Sequence, residues 1–231
     1  TDEILIVAFV VIVIGGIGSV QGAFFGAMLV KIAEIYKSVQ GEGLLTGADS
    51  VFVRASGCNL RCWYCDTPYA SWTPTGNDLS VNDIVQAVTE WDLPHVVITG
   101  GEPMLFAELI PVCEQLKSLG KHLTIETAGT LYLPVSCDLM SISPKFSSSA
   151  PAPDDHPTWY RRHQRTRHQP DVIRQMIAEY SYQIKFVIDS AADCELVEDY
   201  LEEFLFHTCV FSFGRGRQDK ELFPVWQRVR F

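Results

Sequence analysis

Six short stretches of this chain read as β-strands, at 32–39, 51–54, 95–99, 121–126, 138–143 and 183–188, and helical patterns separate most of them. Each is apolar-rich and bounded by glycine or polar residues, as strands are. Ser80 and Asp83 resemble a capping box, and Val81, Ile84, Val85 and Val88 follow at helical spacing. A second helix is expected within 105–119, stopped by Gly120, with Pro111 forcing a kink or a late start. Further helices are expected near 170–181 and at 191–204, where Val197 and Leu201 stand at i,i+4. Strands alternating with helices imply a parallel sheet with right-handed crossovers. Too few units are visible for a closed eight-unit barrel. The expected fold is therefore α/β, an open partial (β/α) barrel of about six parallel strands, with one further strand candidate at 208–213. A chain of 231 residues with 47% apolar content can build such a core as one domain.

In folds of this kind functional residues gather at the C-terminal ends of the strands. Five motifs follow the strands here: Gly41, the cysteine loop from Gly57 to Thr67, Gly100-Gly101-Glu102, Glu126-Thr127 and Ser143-Pro144-Lys145. They are expected to share one rim. The cysteine loop carries Cys58, Cys62 and Cys65 in a C-x3-C-x2-C spacing that can turn three thiolates toward one point. Three thiolates do not close a four-coordinate structural zinc site. They can hold three irons of a four-iron, four-sulfur cluster and leave the fourth open. Seven cysteines, an odd number without the dense pattern of a secreted scaffold, fit reduced thiols in a cytosolic setting. Cys113, Cys137, Cys194 and Cys209 are scattered and read as structural thiols.

Other residues leave two readings open. Arg54 ends an apolar strand; its guanidinium suits a substrate carboxylate or a surface salt bridge. Gly41 and Gly43 either let the backbone approach a planar heterocycle or make a simple turn. A net charge of −10 argues against a general nucleic-acid surface. The segment 146–170 is Ser/Pro-rich, then basic, and its four arginines between Tyr160 and His168 read as a solvated loop or helix start.

The cysteine loop resembles the signature of the radical S-adenosylmethionine (SAM) superfamily. Within it, the chain from about 28 to 205 resembles the 7-carboxy-7-deazaguanine synthases. The matching stretches are 36–43, 52–57, the cysteine loop through Cys65-Asp66-Thr67, Thr99-Gly100-Gly101-Glu102-Pro103, Glu126-Thr127-Ala128-Gly129-Thr130 and Ser143-Pro144-Lys145. The resemblance implies a [4Fe-4S] cluster on Cys58, Cys62 and Cys65. Its open iron would chelate SAM, and one electron would release a 5′-deoxyadenosyl radical. It implies that Tyr64 lies near the adenine and that Gly100, Gly101 and Glu102 meet the amino group of SAM, a carboxylate suiting an ammonium. Glu126, Ser143, Pro144 and Lys145 are further SAM candidates. Ala128 stands where the family often has a polar side chain. The implied substrate is 6-carboxy-5,6,7,8-tetrahydropterin, touched by Val39, Gln40, Gly41, Arg54 and Thr99, and the product is 7-carboxy-7-deazaguanine. Thr67 matches the family's Mg2+ ligand, although the residues alone point to Asp66. A flavodoxin-like or other electron donor, a homodimer, no nucleic-acid partner and a cytoplasmic location complete what it implies.

The two ends do not share the resemblance. From Ile4 to Val30 no residue is charged, a length that can span a bilayer as a helix. Residues 1–27 resemble the C-terminal part of branched-chain amino-acid ABC-transporter permeases and read as a fused fragment, with a membrane anchor as the alternative. The domains expected are thus this segment, the catalytic domain at 28–205 and an atypical basic tail at 206–231. Two other functions compete: a glycyl-radical activase with the same cysteine spacing, and a non-catalytic iron–sulfur or zinc-binding protein.

Overall fold

Among the described residues, 29–204 and 209–213 of a computed structural model, eight strands join in one sheet. They are β1 (Leu29–Val39), β2 (Asp49–Ala55), β3 (Asn77–Ser80), β4 (His95–Gly100), β5 (His122–Thr127), β6 (Leu139–Ile142), β7 (Tyr182–Ile188) and β8 (Cys209–Phe213). Their order across the sheet is β3-β1-β2-β4-β5-β6-β7-β8. Every neighbouring pair from β2 to β8 is parallel. The sheet ends on β3 at one side and β8 at the other, so it is the open partial barrel that the strand count implied.

Two details differ from the sequence reading. β1 is antiparallel to β2, with Ile32 opposite Ala55 and Val39 opposite Asp49. The link between them, 40–48, is too short for a parallel crossover, which needs a dozen residues or more. β3 lies in what reads as a polar loop, because Asn and Asp are poor strand formers. It forms on the free edge of β1, pairing Leu29 with Ser80 through Ile32 with Asn77. The six parallel strands are therefore β2 and β4–β8, and β8 is the candidate at 208–213.

The helices are α1 (Pro68–Ser71), α2 (Val81–Thr89), α3 (Leu109–Ser118), α4 (Pro157–Thr166), α5 (Pro170–Glu179) and α6 (Ala191–Phe204). The Ser80–Asp83 capping box is present at the start of α2. α3 starts late, which puts Pro111 in its first turn, where a missing N–H breaks no helical bond. α4 occupies the basic segment.

Strand alternation divides the molecule chemically. Val51, Val53, Val96, Ile98, Leu123, Ile125, Met140, Ile142, Ile184 and Phe186 are buried in one core with Val112, Leu116, Ile173, Met176 and Val197 of the helices. The alternate positions, Arg54, Thr99, Glu126, Ser143 and Lys185, line a cavity on the concave side. The 40–48 link crosses beneath that cavity. The Leu44 amide donates to Gln183 Oε1 at 2.8 Å, and Lys185 Nζ donates to Glu42 Oε1 at 2.7 Å. No helix among the described residues is long and apolar enough to cross a membrane. The segment 1–27 and most of the tail at 206–231 lie outside the described residues.

Candidate active site

A cavity of about 450 Å³ opens at the C-terminal ends of the parallel strands, a volume usual for small-molecule sites. β2 supplies Arg54 and the cysteine loop, β4 supplies Thr99, Gly100 and Gly101, and β5 supplies Glu126, Thr127 and Ala128. β6 leads to Ser143 and Lys145, and β7 carries Lys185 and Val187 and leads to Asp189. Four of the five expected motifs thus meet. The fifth does not, because an antiparallel β1 delivers Gly41 to the N-terminal ends of the other strands. Val39 and Gly41 are exposed, and Gln40 is buried against Ser50, its Nε2 donating to Oγ at 2.9 Å. From this link Glu42 reaches the cavity instead.

Cys58, Cys62 and Cys65 all line the cavity, and all are free thiols. Burial pushes Cys58 up to about 12 and Cys62 up to about 11. Thiols held neutral in this way ionise when a metal replaces the proton. Among the described residues no three Cys, His, Asp or Glu side chains converge on a point that could hold a single metal ion. The loop is anchored residue by residue. Asn59 Nδ2 donates to Thr130 Oγ1 at 2.9 Å, and Leu60 is buried in the core. Arg61 Nη1 donates to the Cys58 carbonyl at 2.8 Å while its guanidinium lies 3.9 Å from the centre of the Trp159 ring in α4. Trp72 Nε1 donates to the Cys62 carbonyl at 3.1 Å. Tyr64 faces the cavity beside them, edge-on to the exposed Trp63.

The glycine motif closes on this loop. Gly100 has φ +135°, a region L side chains avoid, and a Cβ there would lie 2.0 Å from the Ala55 carbonyl oxygen. A Cβ on Gly101 would lie 2.1 Å from the Gly57 oxygen. The Gly101 amide donates to Ala55 at 3.1 Å and the Glu102 amide to Gly57 at 2.8 Å. Here the glycines permit backbone-to-backbone contact first.

Glu102 is set deeper than the two glycines before it. Its carboxylate does not face the cavity; the residue is fully buried, and it accepts from Met104 N at 3.1 Å, Thr127 Oγ1 at 2.7 Å and Ala128 N at 2.8 Å. Burial raises its pKa, and these three donors oppose the rise. These three donors fix the carboxylate between the end of β5 and the turn at Met104. Glu102→Gln would set an amide N–H against one of these donors, and a loss of about 1–3 kcal/mol is expected. Thermal melting of the cluster-free chain checks this; an unchanged melting temperature with weakened SAM binding would contradict it.

The remaining wall is a mixed charge network. Thr99 Oγ1 donates to Glu126 Oε2 at 2.7 Å, and Lys185 Nζ lies 3.4 Å from Glu126 Oε1. Arg54 is already held: its Nε donates to Glu34 Oε1 at 2.6 Å and Nη2 to Tyr36 Oη at 2.6 Å. Burial opposes the charge on Arg54, but Glu34, Tyr36 and Tyr69 together outweigh it and hold the guanidinium pKa above its usual value. Arg54 thus makes the salt bridge of one reading while lining the cavity. Lys145 Nζ donates to Ser143 Oγ at 2.6 Å and to the Ser143 carbonyl at 2.7 Å. Burial pulls its pKa down. Pro144 is buried behind them. Asp66 and Thr67 line the cavity together, with Thr67 Oγ1 3.4 Å from Asp66 Oδ1.

The match to known proteins follows the same outline. Residues 52–180 match the model of the radical SAM superfamily. The chain is 45% identical over 173 residues to the 7-carboxy-7-deazaguanine synthase of Rhodopirellula baltica, covering 74% of this chain and 67% of that one. It is 42% identical over 177 residues to the synthase of Halobacterium salinarum, covering 74% and 69%. The chain belongs to the 7-carboxy-7-deazaguanine synthase family of radical SAM enzymes. The crystal structure of QueE from Escherichia coli has the same fold, with a TM-score of 0.62 over 85% of this chain and 88% of that one at 23% identity. As a radical SAM enzyme this synthase homologue works with a [4Fe-4S] cluster and SAM. Sequence reading passed over Glu42, Lys185, Asp189, Arg61, Trp159 and His163. Lys185 carried a visible signal, a lone charge in an apolar strand. The others become meaningful only through partners distant in sequence.

Proposed function

We propose that this chain converts 6-carboxy-5,6,7,8-tetrahydropterin to 7-carboxy-7-deazaguanine and ammonia, a step of deazapurine biosynthesis toward queuosine. The observation that carries the reading is one cavity holding three free cysteines on one side and Arg54, Thr99, Glu126 and Lys185 on the other. Cys58, Cys62 and Cys65 hold three irons. When bound, the cluster and SAM supply the one-electron chemistry that removes a hydrogen atom from C6 of the pterin. The protein's part is binding, orientation and shielding. Lys145 and Ser143 offer a cation and a hydroxyl to the carboxylate end of SAM. Tyr64 offers its ring to the adenine, and Gly100 and Gly101 offer main chain to the amino group. Arg54 offers its cavity-facing guanidinium to the pterin carboxylate, pre-oriented by Glu34 and Tyr36. Thr99 and Glu126 are polar partners for the pterin or for SAM at the boundary between them. Val39, Gln40 and Gly41 are left to main-chain contact from beneath, next to Glu42.

Mg2+ belongs to this reading too. The Thr67 hydroxyl and the Asp66 carboxylate are adjacent oxygens on the wall, and a hard cation that keeps several waters needs few protein ligands. A one-electron donor of the flavodoxin type, a homodimer and a reducing cytoplasm go with it.

Anaerobic reconstitution followed by turnover tests the proposal. Four irons per chain, SAM cleavage and stoichiometric release of ammonia from the carboxytetrahydropterin are expected, with turnover rising on addition of Mg2+. SAM cleavage without ring contraction would favour an activase. Bound zinc without iron would favour a non-catalytic binding protein.

A further inference from the structure

Cys62 is flanked by two amides, and both are taken up by residues from the basic segment. Arg61 N donates to His163 Nδ1 at 3.1 Å, across 102 positions of sequence. Trp63 N donates to the Ser149 carbonyl at 3.1 Å. The two acceptors are themselves joined: His163 Nε2 lies 2.8 Å from Ser149 Oγ, and Ser149 Oγ donates to the Phe146 carbonyl at 2.6 Å. Because Nδ1 accepts from a main-chain N–H, the ring proton must be on Nε2, and the order of donation runs from His163 through Ser149 to Phe146. His163 is fully buried, although its neighbours Arg161, Arg162 and Arg165 are exposed. A buried imidazole with both nitrogens engaged in a surface helix has been placed there by its partners.

We propose that His163, with Ser149, is a positioning residue: the pair holds the Leu60–Arg61 and Cys62–Trp63 peptide groups on either side of the Arg61–Cys62 link and so sets the middle cluster ligand. It touches neither substrate nor iron. It acts as outer partners of metal ligands act, whose loss typically costs 10–100-fold in affinity. α4, the expected solvated segment, is thereby the back wall of the cluster loop. The inference rests on the assignment of the cluster to Cys58, Cys62 and Cys65.

Two near-isosteric variants of the full chain separate positioning from mere packing. His163→Asn keeps an acceptor at the Nδ1 position; His163→Gln moves the amide out to the Nε2 position. After anaerobic reconstitution, a chelator should extract iron from His163→Gln roughly tenfold faster than from His163→Asn or the unmodified chain. In the cluster-free proteins the Arg61 amide should exchange slowly with solvent in the unmodified chain and His163→Asn, and faster in His163→Gln. Equal iron loss from the two variants overturns the role of His163. If neither variant folds, the unmodified chain still decides: an Arg61 amide that exchanges as an unprotected one overturns it. An unmodified chain that takes up no four-iron cluster sinks the cluster assignment instead, and is read out separately.

Discussion

Cys62→Ala is expected to abolish turnover while leaving a folded chain. Removing one thiolate leaves one iron without its protein ligand, so iron per chain should fall well below four after reconstitution. The fold does not depend on that thiol. The cluster-free variant should melt within about 1 kcal/mol of the parent, since only a small buried side chain is trimmed. Cys113→Ala gives the opposite pattern. Cys113 is fully buried in α3, packed in the core among the helices and away from the cavity. Its loss should lower stability by about 1–2 kcal/mol, with iron content and turnover retained. Iron analysis, SAM-dependent turnover and thermal melting of the pair check both halves. A Cys62→Ala chain that still binds four irons and turns over would refute the ligand assignment.

Gly101→Ala is expected to be nearly as severe, for a reason unrelated to ligands. The new methyl would overlap the Gly57 carbonyl oxygen at 2.1 Å and approach the Ala70 oxygen at 2.7 Å. Both are main-chain atoms and cannot swing aside. Either the end of β4 or the start of the cysteine loop must move, breaking the Glu102-to-Gly57 hydrogen bond. Overpacking of this kind costs about 3 kcal/mol or more. Gly100→Ala should be comparable, with backbone strain at φ +135° added to its clash with Ala55. Gly41→Ala is the control, because nothing lies within 4 Å of its added Cβ. Its effect on stability should stay within about 0.5 kcal/mol. Chemical denaturation of the three variants decides; a Gly101→Ala chain as stable as Gly41→Ala would mean that this packing is wrong.

The sequence disclosed the strands best where tertiary structure and local pattern agree. The parallel strands β4–β7 are short, apolar and stopped by polar residues, so their ends and the motifs after them were legible. The direction of β1 was not, since a strand's composition says nothing about which way its neighbour runs; only the shortness of the 40–48 link carried that information. β3 escaped because two of its four residues disfavour strands and an available edge supplied the reason to pair. Among the site residues, cysteine spacing spoke for itself. Glu102 was legible as part of its motif, but the three donors around its carboxylate were not, since two of them come from residues 25 and 26 positions further on. The salt-bridge reading of Arg54 holds because Glu34 and Tyr36 stand beside it across the hairpin. His163 could not be found at all: a histidine among arginines looks solvated, and its partners are 14 and 102 residues away.

The floor under the cavity bears on how the molecule comes into being. Glu42 and Leu44 meet Lys185 and Gln183 across 143 and 139 positions. During synthesis the cysteine loop and the glycine motif emerge long before β7, so the cavity between them has no underside until most of the chain has left the ribosome. Contacts of such separation form late and slowly. The cavity that the cysteine loop faces is therefore completed only by contacts between the two far ends of the described fold.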